Sequence, residues 1–173
     1  YDYDVPVYIS TIKDSSLALN LAVHRLENKK YDLDFVREII EQAAIVYDSK
    51  KSGILELGGG VPKNTAQQTG PLLDQILKRN DGGQEYIIQI TDARPDTGGL
   101  SGATLQEGKS WGKIQDSHEG IVTVYADATI VFPILALYVL SNQKSREPKR
   151  LYKKIGKLYN KLSEDYFKNP SNS

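Results

Sequence analysis

Apolar and polar positions along this chain recur with two different spacings, and the two alternate. Val5, Val7 and Ile9 lie two apart, which predicts a short strand over about 5–10. Asp14 or Ser15 can cap a helix running to about Asn28. Tyr31-Asp-Leu-Asp34 opens a second helix, whose apolar positions Leu33, Val36, Ile40, Ala43 and Tyr47 follow helical spacing. Gly53-Ile-Leu-Glu-Leu57 is a compact strand that runs into three glycines. Pro62 suits the first turn of the next helix, expected to reach about Lys78. A strand over Glu85 to Ile90 has the unbroken apolar neighbours of a buried parallel strand.

Thr91 to Ser110 has no consistent period and is rich in Gly, Thr, Asp and Ser. A structureless loop of this length in a compact domain is usually functional or disordered. Ile121 to Tyr125 is again a strand, ending at Ala126-Asp127, and a helix bent at Pro133 follows. The last helix, about Pro148 to Phe167, carries Leu151, Ile155, Leu158, Leu162 and Tyr166 on one face. Strands alternating with helices define an α/β protein with a mainly parallel sheet flanked by helices. Ligands in such sheets bind beyond the C-terminal strand ends. Four such ends are expected around one crevice, carrying Asp14, Gly58 to Gly60, Thr91 onwards, and Asp127.

Composition narrows the class. The 173 residues suffice for one domain with its own core. We divide them into a main domain over 1–145 and a basic amphipathic helix and tail over 146–173, packed on it. Formal net charge is zero, so nothing overall points to nucleic acid or an anionic membrane. The apolar run Ala128 to Leu140 is broken by Pro133 and too short to span a bilayer. The absence of cysteine excludes disulfides and thiolate zinc sites, and fits a cytoplasmic protein. His24 lies mid-helix and His118 in a polar loop, unpaired, so no metal site is expected. The chain has no methionine, which leads us to expect a segment of a longer protein.

Three features carry chemistry. Gly58-Gly59-Gly60, between a strand and a helix, lets backbone approach a ligand and puts a helix N-terminus beside it. A dinucleotide turn and a plain tight turn both fit. Asp127, at a strand end, can accept from a ribose or cap the helix that follows. Trp111 is the only tryptophan, and Lys113 stands two residues on. A lysine becomes a nucleophile when burial or nearby cations disfavour its ammonium form. An indole wall supplies dryness and tolerates cationic amines. Glu107 can anchor such an amine; the alternative is a surface lysine with the indole filling a gap. The C-terminal helix is basic, with Lys149, Arg150, Lys153, Lys154, Lys157 and Lys161, but has no interleaved aromatics for nucleic acid, so a solvated face is expected.

In combination these motifs narrow the field. Leu57-Gly-Gly-Gly-Val-Pro-Lys63, Ser110-Trp-Gly-Lys113, Val124-Tyr-Ala-Asp-Ala128 and Phe132-Pro133, in this order and spacing, resemble deoxyhypusine synthase. The opening Val5-Pro-Val-Tyr with Asp14 resembles it too, and the likeness spans about residues 4–143, the C-terminal part of the family's chain. The resemblance implies a Rossmann-like, doubly wound fold that binds NAD and transfers an aminobutyl group from a polyamine. It makes Lys113 the imine-forming catalytic lysine. Trp111, Glu107, Asn64, Gly98 and Leu100 would then lie at substrate-binding positions. Asp14, Gly59, Thr91, Asp92, Ala93, Thr97, Asp127 and Ala128 would lie at NAD-contacting ones. It also implies a homotetramer, with part of the cofactor site supplied by an N-terminal segment of the same protein.

The sequence departs from the family pattern at four places. Leu19 and Leu100 stand where the family carries carboxylates that grip polyamine nitrogens. Asn64 replaces a histidine, and Thr97 replaces an aspartate. A hydrogen bond to a charged group contributes roughly 1.5–3 kcal/mol. Losing two weakens a spermidine-like pose by about two to four orders of magnitude. The expectation is therefore a related aminoalkyl transfer on another amine. Transfer to a small diamine, as in homospermidine synthesis, and a catalytically silent nucleotide- or partner-binding relative are the alternatives.

Overall fold

A computed structural model describes residues 2–79, 83–115 and 120–169. In chain order the elements are α1 (Ser16–Leu26), α2 (Phe35–Tyr47), β1 (Gly53–Leu57), α3 (Val61–Gln67), α4 (Thr69–Pro71), β2 (Tyr86–Thr91), α5 (Leu105–Ser110), β3 (Ile121–Tyr125), α6 (Ala128–Asn142) and α7 (Leu151–Lys168). The short 3-10 turns Ile12–Asp14, Pro95–Thr97 and Leu100–Gly102, and a π-helical turn Leu72–Ile76, fill the connections.

Local chemistry explains the boundaries. Ser15 caps α1, its hydroxyl accepting from the Ala18 N–H at 3.3 Å. Asp34 caps α2 through the Arg37 N–H at 2.8 Å. Each takes up a backbone donor that the first helical turn leaves unpaired. The stretch after Pro62 is helical, but in three pieces rather than one, with Pro71 at the junction before the π turn.

The three strands pair in parallel in the order β1-β2-β3, with Ile54 opposite Ile87 and Ile87 opposite Ile121. Strand β2 is central and the most buried: Ile87, Gln89, Ile90 and Thr91 are almost fully enclosed. One apolar cluster joins Ala43 and Ala44 of α2 to Leu73 and to Leu158 and Leu162 of α7. A second joins Ile87 of β2 to Leu105 and Ile114, with Ile121 packed against it. The result is an α/β arrangement, a parallel sheet flanked by helices.

Two expectations are corrected. Residues 5–10 form no strand: Val5, Val7 and Ile9 point to solvent, while Pro6, Tyr8 and Ser10 are half-buried. The alternation is real, but the segment pairs with no neighbouring strand among the described residues, and Tyr8 rather than the valines faces inward, its hydroxyl near Glu41. Three strand ends, not four, therefore face the crevice. The stretch from Thr91 to Ser110 is also not structureless, since it holds two 3-10 turns and α5. Helix α6 runs through Pro133. No helix among the described residues is long and apolar enough to cross a membrane. His118 and the tail beyond Asn169 lie outside the described residues.

Candidate functional site

The C-terminal strand ends are tied together by backbone. The Gly58 N–H donates to the Ile90 carbonyl at 2.7 Å, and the Ala126 N–H donates to the Thr91 carbonyl at 3.1 Å. Three turns therefore lie side by side: Gly58 to Gly60, Thr91 to Ala93, and Ala126 to Ala128. In the first, Gly58 and Gly59 have φ of +67° and +112°, which side chains rarely adopt. No side chain caps the N-terminus of α3 that follows. In the second, the Thr91 hydroxyl accepts from the Ala93 N–H at 3.1 Å and reaches the Ser101 carbonyl at 3.4 Å. In the third, Asp127 caps α6: one carboxylate oxygen accepts from the Thr129 N–H and from its hydroxyl, both at 2.7 Å. Those bonds hold the Asp127 carboxyl below its ordinary range. Ala128 is the first residue of α6.

Lys113 is mounted differently. Its backbone is tied to the residues before β2, where the Gln84 N–H donates to the Lys113 carbonyl at 3.0 Å. A Cβ on Gly83 would lie 2.6 Å from that carbonyl oxygen, and one on Gly70 would lie 2.8 Å from the Gly112 oxygen. From this close-packed base the side chain reaches α3, where its Nζ donates to Asn64 Oδ1 at 2.5 Å. The side-chain amide is neutral, and no ion pair holds Lys113 among the described residues. Burial pushes its ammonium toward losing the proton.

Beneath the glycine turn lies a set of buried polar groups. Lys63 is 6% exposed, and its Nζ donates to the Ala103 carbonyl at 2.9 Å. Burial pushes its pKa down; the charges of Glu56 and Glu107 oppose that, and Lys113 adds to it. Glu56, 4% exposed in β1, accepts from Gln67 Nε2 at 2.5 Å. Its other oxygen, Oε2, is buried without a hydrogen-bond partner. Burial raises the Glu56 pKa, with the Gln67 bond and Lys63 opposing.

The structure thus brings together Lys113, Asn64, Lys63 and Glu107, with Gly59 packed against the Lys63 side chain. Asp92, Thr97, Gly98 and Leu100 lie on an exposed rim, and Thr97 is spent on the Arg94 carbonyl. Asp14 lines a separate cleft of about 440 Å³, together with Tyr8, Phe35, Gln42 and Thr65. Trp111 is 67% exposed, and its carbonyl accepts from Gln75 Nε2 at 3.0 Å. Sequence reasoning assigned no role to Lys63 or Glu56. The signal for Glu56 was there, a carboxylate in the middle of an otherwise apolar strand.

The three-stranded parallel sheet flanked by helices defines the class, α/β. The comparisons define the family. A family model for deoxyhypusine synthase matches residues 1–139. A deoxyhypusine synthase-like protein of Nostoc sp. is 44% identical over 171 residues, covering 96% of this chain and 45% of its own length. One from Thermosynechococcus vestitus is 42% identical, over 96% of this chain and 43% of its own. "Probable deoxyhypusine synthase 2" of Methanosarcina acetivorans is 38% identical, over 87% and 43%. The chain belongs to the deoxyhypusine synthase family. It spans less than half the length of these relatives.

Proposed function

We propose that this chain carries the nucleophile of an NAD-dependent aminoalkyl transferase, and that Lys113 is that nucleophile. The observation that supports this most is the Lys113 amine held by a neutral amide in a partly buried site. An amine must be unprotonated to attack carbon, and this environment favours the neutral form.

The cofactor reading rests on the strand ends. The glycine turn leaves backbone open beside the uncapped start of α3, which suits a phosphate, and the turn after β3 offers Asp127 to a ribose. Gly59, Thr91, Asp92, Ala93, Thr97, Asp127 and Ala128 would hold NAD there, with Asp14 joining from its neighbouring cleft. When bound, NAD supplies a hydride acceptor for the donor amine and a hydride source at the end. Between those events Lys113 Nζ adds to the oxidised carbon of the donor and expels the departing amine. The aminoalkyl group is then an imine on Lys113. An acceptor amine displaces Lys113, taking the group and freeing the lysine. Asn64 orients Nζ, and Glu107, Gly98, Leu100 and Trp111 face the substrate.

The donor in this reading is an amine other than plain spermidine, because Leu19 and Leu100 offer no charge to polyamine nitrogens. We also place this chain in a cytoplasmic homotetramer with a companion N-terminal segment that completes a Rossmann-like, doubly wound sheet. Exposed Ile130, Ile134, Leu137 and Leu140 on α6, and exposed Trp111, support burial against further polypeptide.

The test is intact mass after incubating the full-length protein with NAD, borohydride and spermidine, putrescine, agmatine or homospermidine in turn. An adduct at Lys113 is expected, and its mass names the donor. No adduct from any amine, with NAD still bound, would favour a silent nucleotide-binding relative.

A further inference from the structure

Helix α7 has no place in the scheme above, and it lies beyond the residues 1–139 that the family model matches. The first turn of a helix leaves backbone donors unpaired. Arg150, at the N-cap of α7, offers no side-chain cap. One of these donors is met instead from the other end of the sequence: the Tyr152 N–H donates to the Asp4 carbonyl at 2.8 Å. One oxygen of the Asp4 carboxylate accepts from Arg150 Nη1 at 2.8 Å and pairs with Lys153 Nζ at 3.2 Å. Arg150 Nη1 also reaches the Asp2 carbonyl at 3.3 Å. A carboxylate placed there meets the positive end of the helix dipole as well. Asp4 and Arg150 both have φ of +50°, a strained backbone that persists only where contacts over-determine it. Arg150 and Lys153, expected only to meet solvent, are thus engaged.

From Asp4 the chain runs as a strap to Asp14, with no strand pairing among the described residues. The strap is one wall of the cleft that Asp14 lines, and α2 supplies another through Phe35, Ile39 and Gln42. Helix α7 grips both walls. Its first turn holds the strap at Asp4. Its middle packs Leu158 and Leu162 on Ala43 and Ala44 of α2, and Arg37 of α2 lies over the Tyr159 ring at 5.0 Å. Directly between the walls, Tyr8 Oη approaches Glu41 Oε2 at 3.5 Å, a long contact. We propose that α7 is a brace and Asp4 its positioning residue: the clasp fixes the strap against a helix that is itself packed on α2, and so sets where Asp14 stands. The consequence for the cofactor rests on Asp14 contacting NAD. The clasp itself does not.

The experiment follows Tyr8, which is half-buried and faces inward a short way along from Asp4. A protease reaches it only when the strap lifts. The full-length protein is cut briefly with chymotrypsin and the fragments are weighed. Asp4→Asn keeps the size of the side chain and removes its charge. Cleavage after Tyr8 should quicken roughly threefold or more, the scale of two partly exposed ion pairs. Cleavage after Tyr86 of β2 should keep the parent rate. In an Arg150→Gln/Lys153→Gln background, Asp4→Asn should add nothing further. NAD, titrated by calorimetry, should bind the Asp4→Asn protein more weakly by a similar factor. Unchanged cleavage after Tyr8, equal quickening after Tyr86, an undiminished effect in the double background, or quicker cleavage with NAD affinity unchanged would each overturn the inference. A parent protein that binds no NAD would overturn the cofactor reading instead, and the cleavage rates would then decide the clasp by themselves.

Discussion

Lys113 Nζ and Asn64 Oδ1 meet at 2.5 Å across 49 residues of sequence, one from the segment before β3 and one from the first helix after β1. The pairing matters because the acceptor carries no charge. A carboxylate there would favour the ammonium form, the opposite of what a nucleophilic amine needs.

Asn64→Asp should therefore raise the pKa of Lys113 by about one to three units. Trapping of an amine on Lys113 near neutral pH should slow at least roughly tenfold and recover as pH rises. An unchanged rate would show that the neutral partner is incidental.

Lys113→Arg keeps a cation but forms no imine. Adduct formation should vanish while NAD binding, followed by calorimetry, persists. Unchanged product formation would remove Lys113 from the chemistry.

Leu100 stands 45% exposed on the rim near the glycine turn. Leu100→Asp should tighten spermidine binding by roughly tenfold or more, since a hydrogen bond to a charged group contributes about 1.5–3 kcal/mol. No gain in a titration would mean that the pocket differs by more than its charges.

Asp127 ties down the first turn of α6, and its carboxyl is held below the ordinary value by the two Thr129 bonds. A depressed carboxyl contributes stability above its unfolded pKa and loses it as pH falls through the folded one. Asp127→Ala should therefore lower Tm at neutral pH, and the difference from the parent should shrink in acid. A difference that persists in acid would mean the charge is not what caps the helix.

Gly59 has φ of +112°, and a Cβ there would lie 3.0 Å from Lys63 Cβ. Gly59→Ala should cost about 1 kcal/mol or more and weaken NAD binding, read by denaturant titration and calorimetry.

How much of this was legible depended on whether a pattern answered to local or distant partners. Strands β1, β2 and β3 and helix α7 announced themselves by apolar runs and helical spacing, because a strand of a parallel sheet or a one-sided helix leaves that mark. Val5, Val7 and Ile9 misled, since alternation says a segment is extended but not whether another strand lies alongside. Helix α5 was missed although its start is a capping box, Thr104 accepting from the Glu107 N–H at 3.3 Å, because six residues are too few to show a period. Within the site, Lys113 stood out through its motif. Lys63 and Glu56 did not, because their interest comes from burial that only the packed fold confers. Trp111 was read from its chemistry and its motif, and neither says how much of the indole the fold covers.

Gly70, Gly83 and Gly112 meet at the foot of Lys113, where an added methyl would press on backbone at 2.6–2.8 Å or on the Gln75 side-chain amide at 2.9 Å. Missing side chains thus locate the lysine. Its root is clamped by three bare backbones, while its tip, at the end of four methylenes, is held by Asn64 alone among the described residues. A reagent or substrate that finds the amine displaced has met a moved tip, not a moved root. Substitutions at these glycines would act as changes in the length of a lever, felt at the nitrogen without touching it.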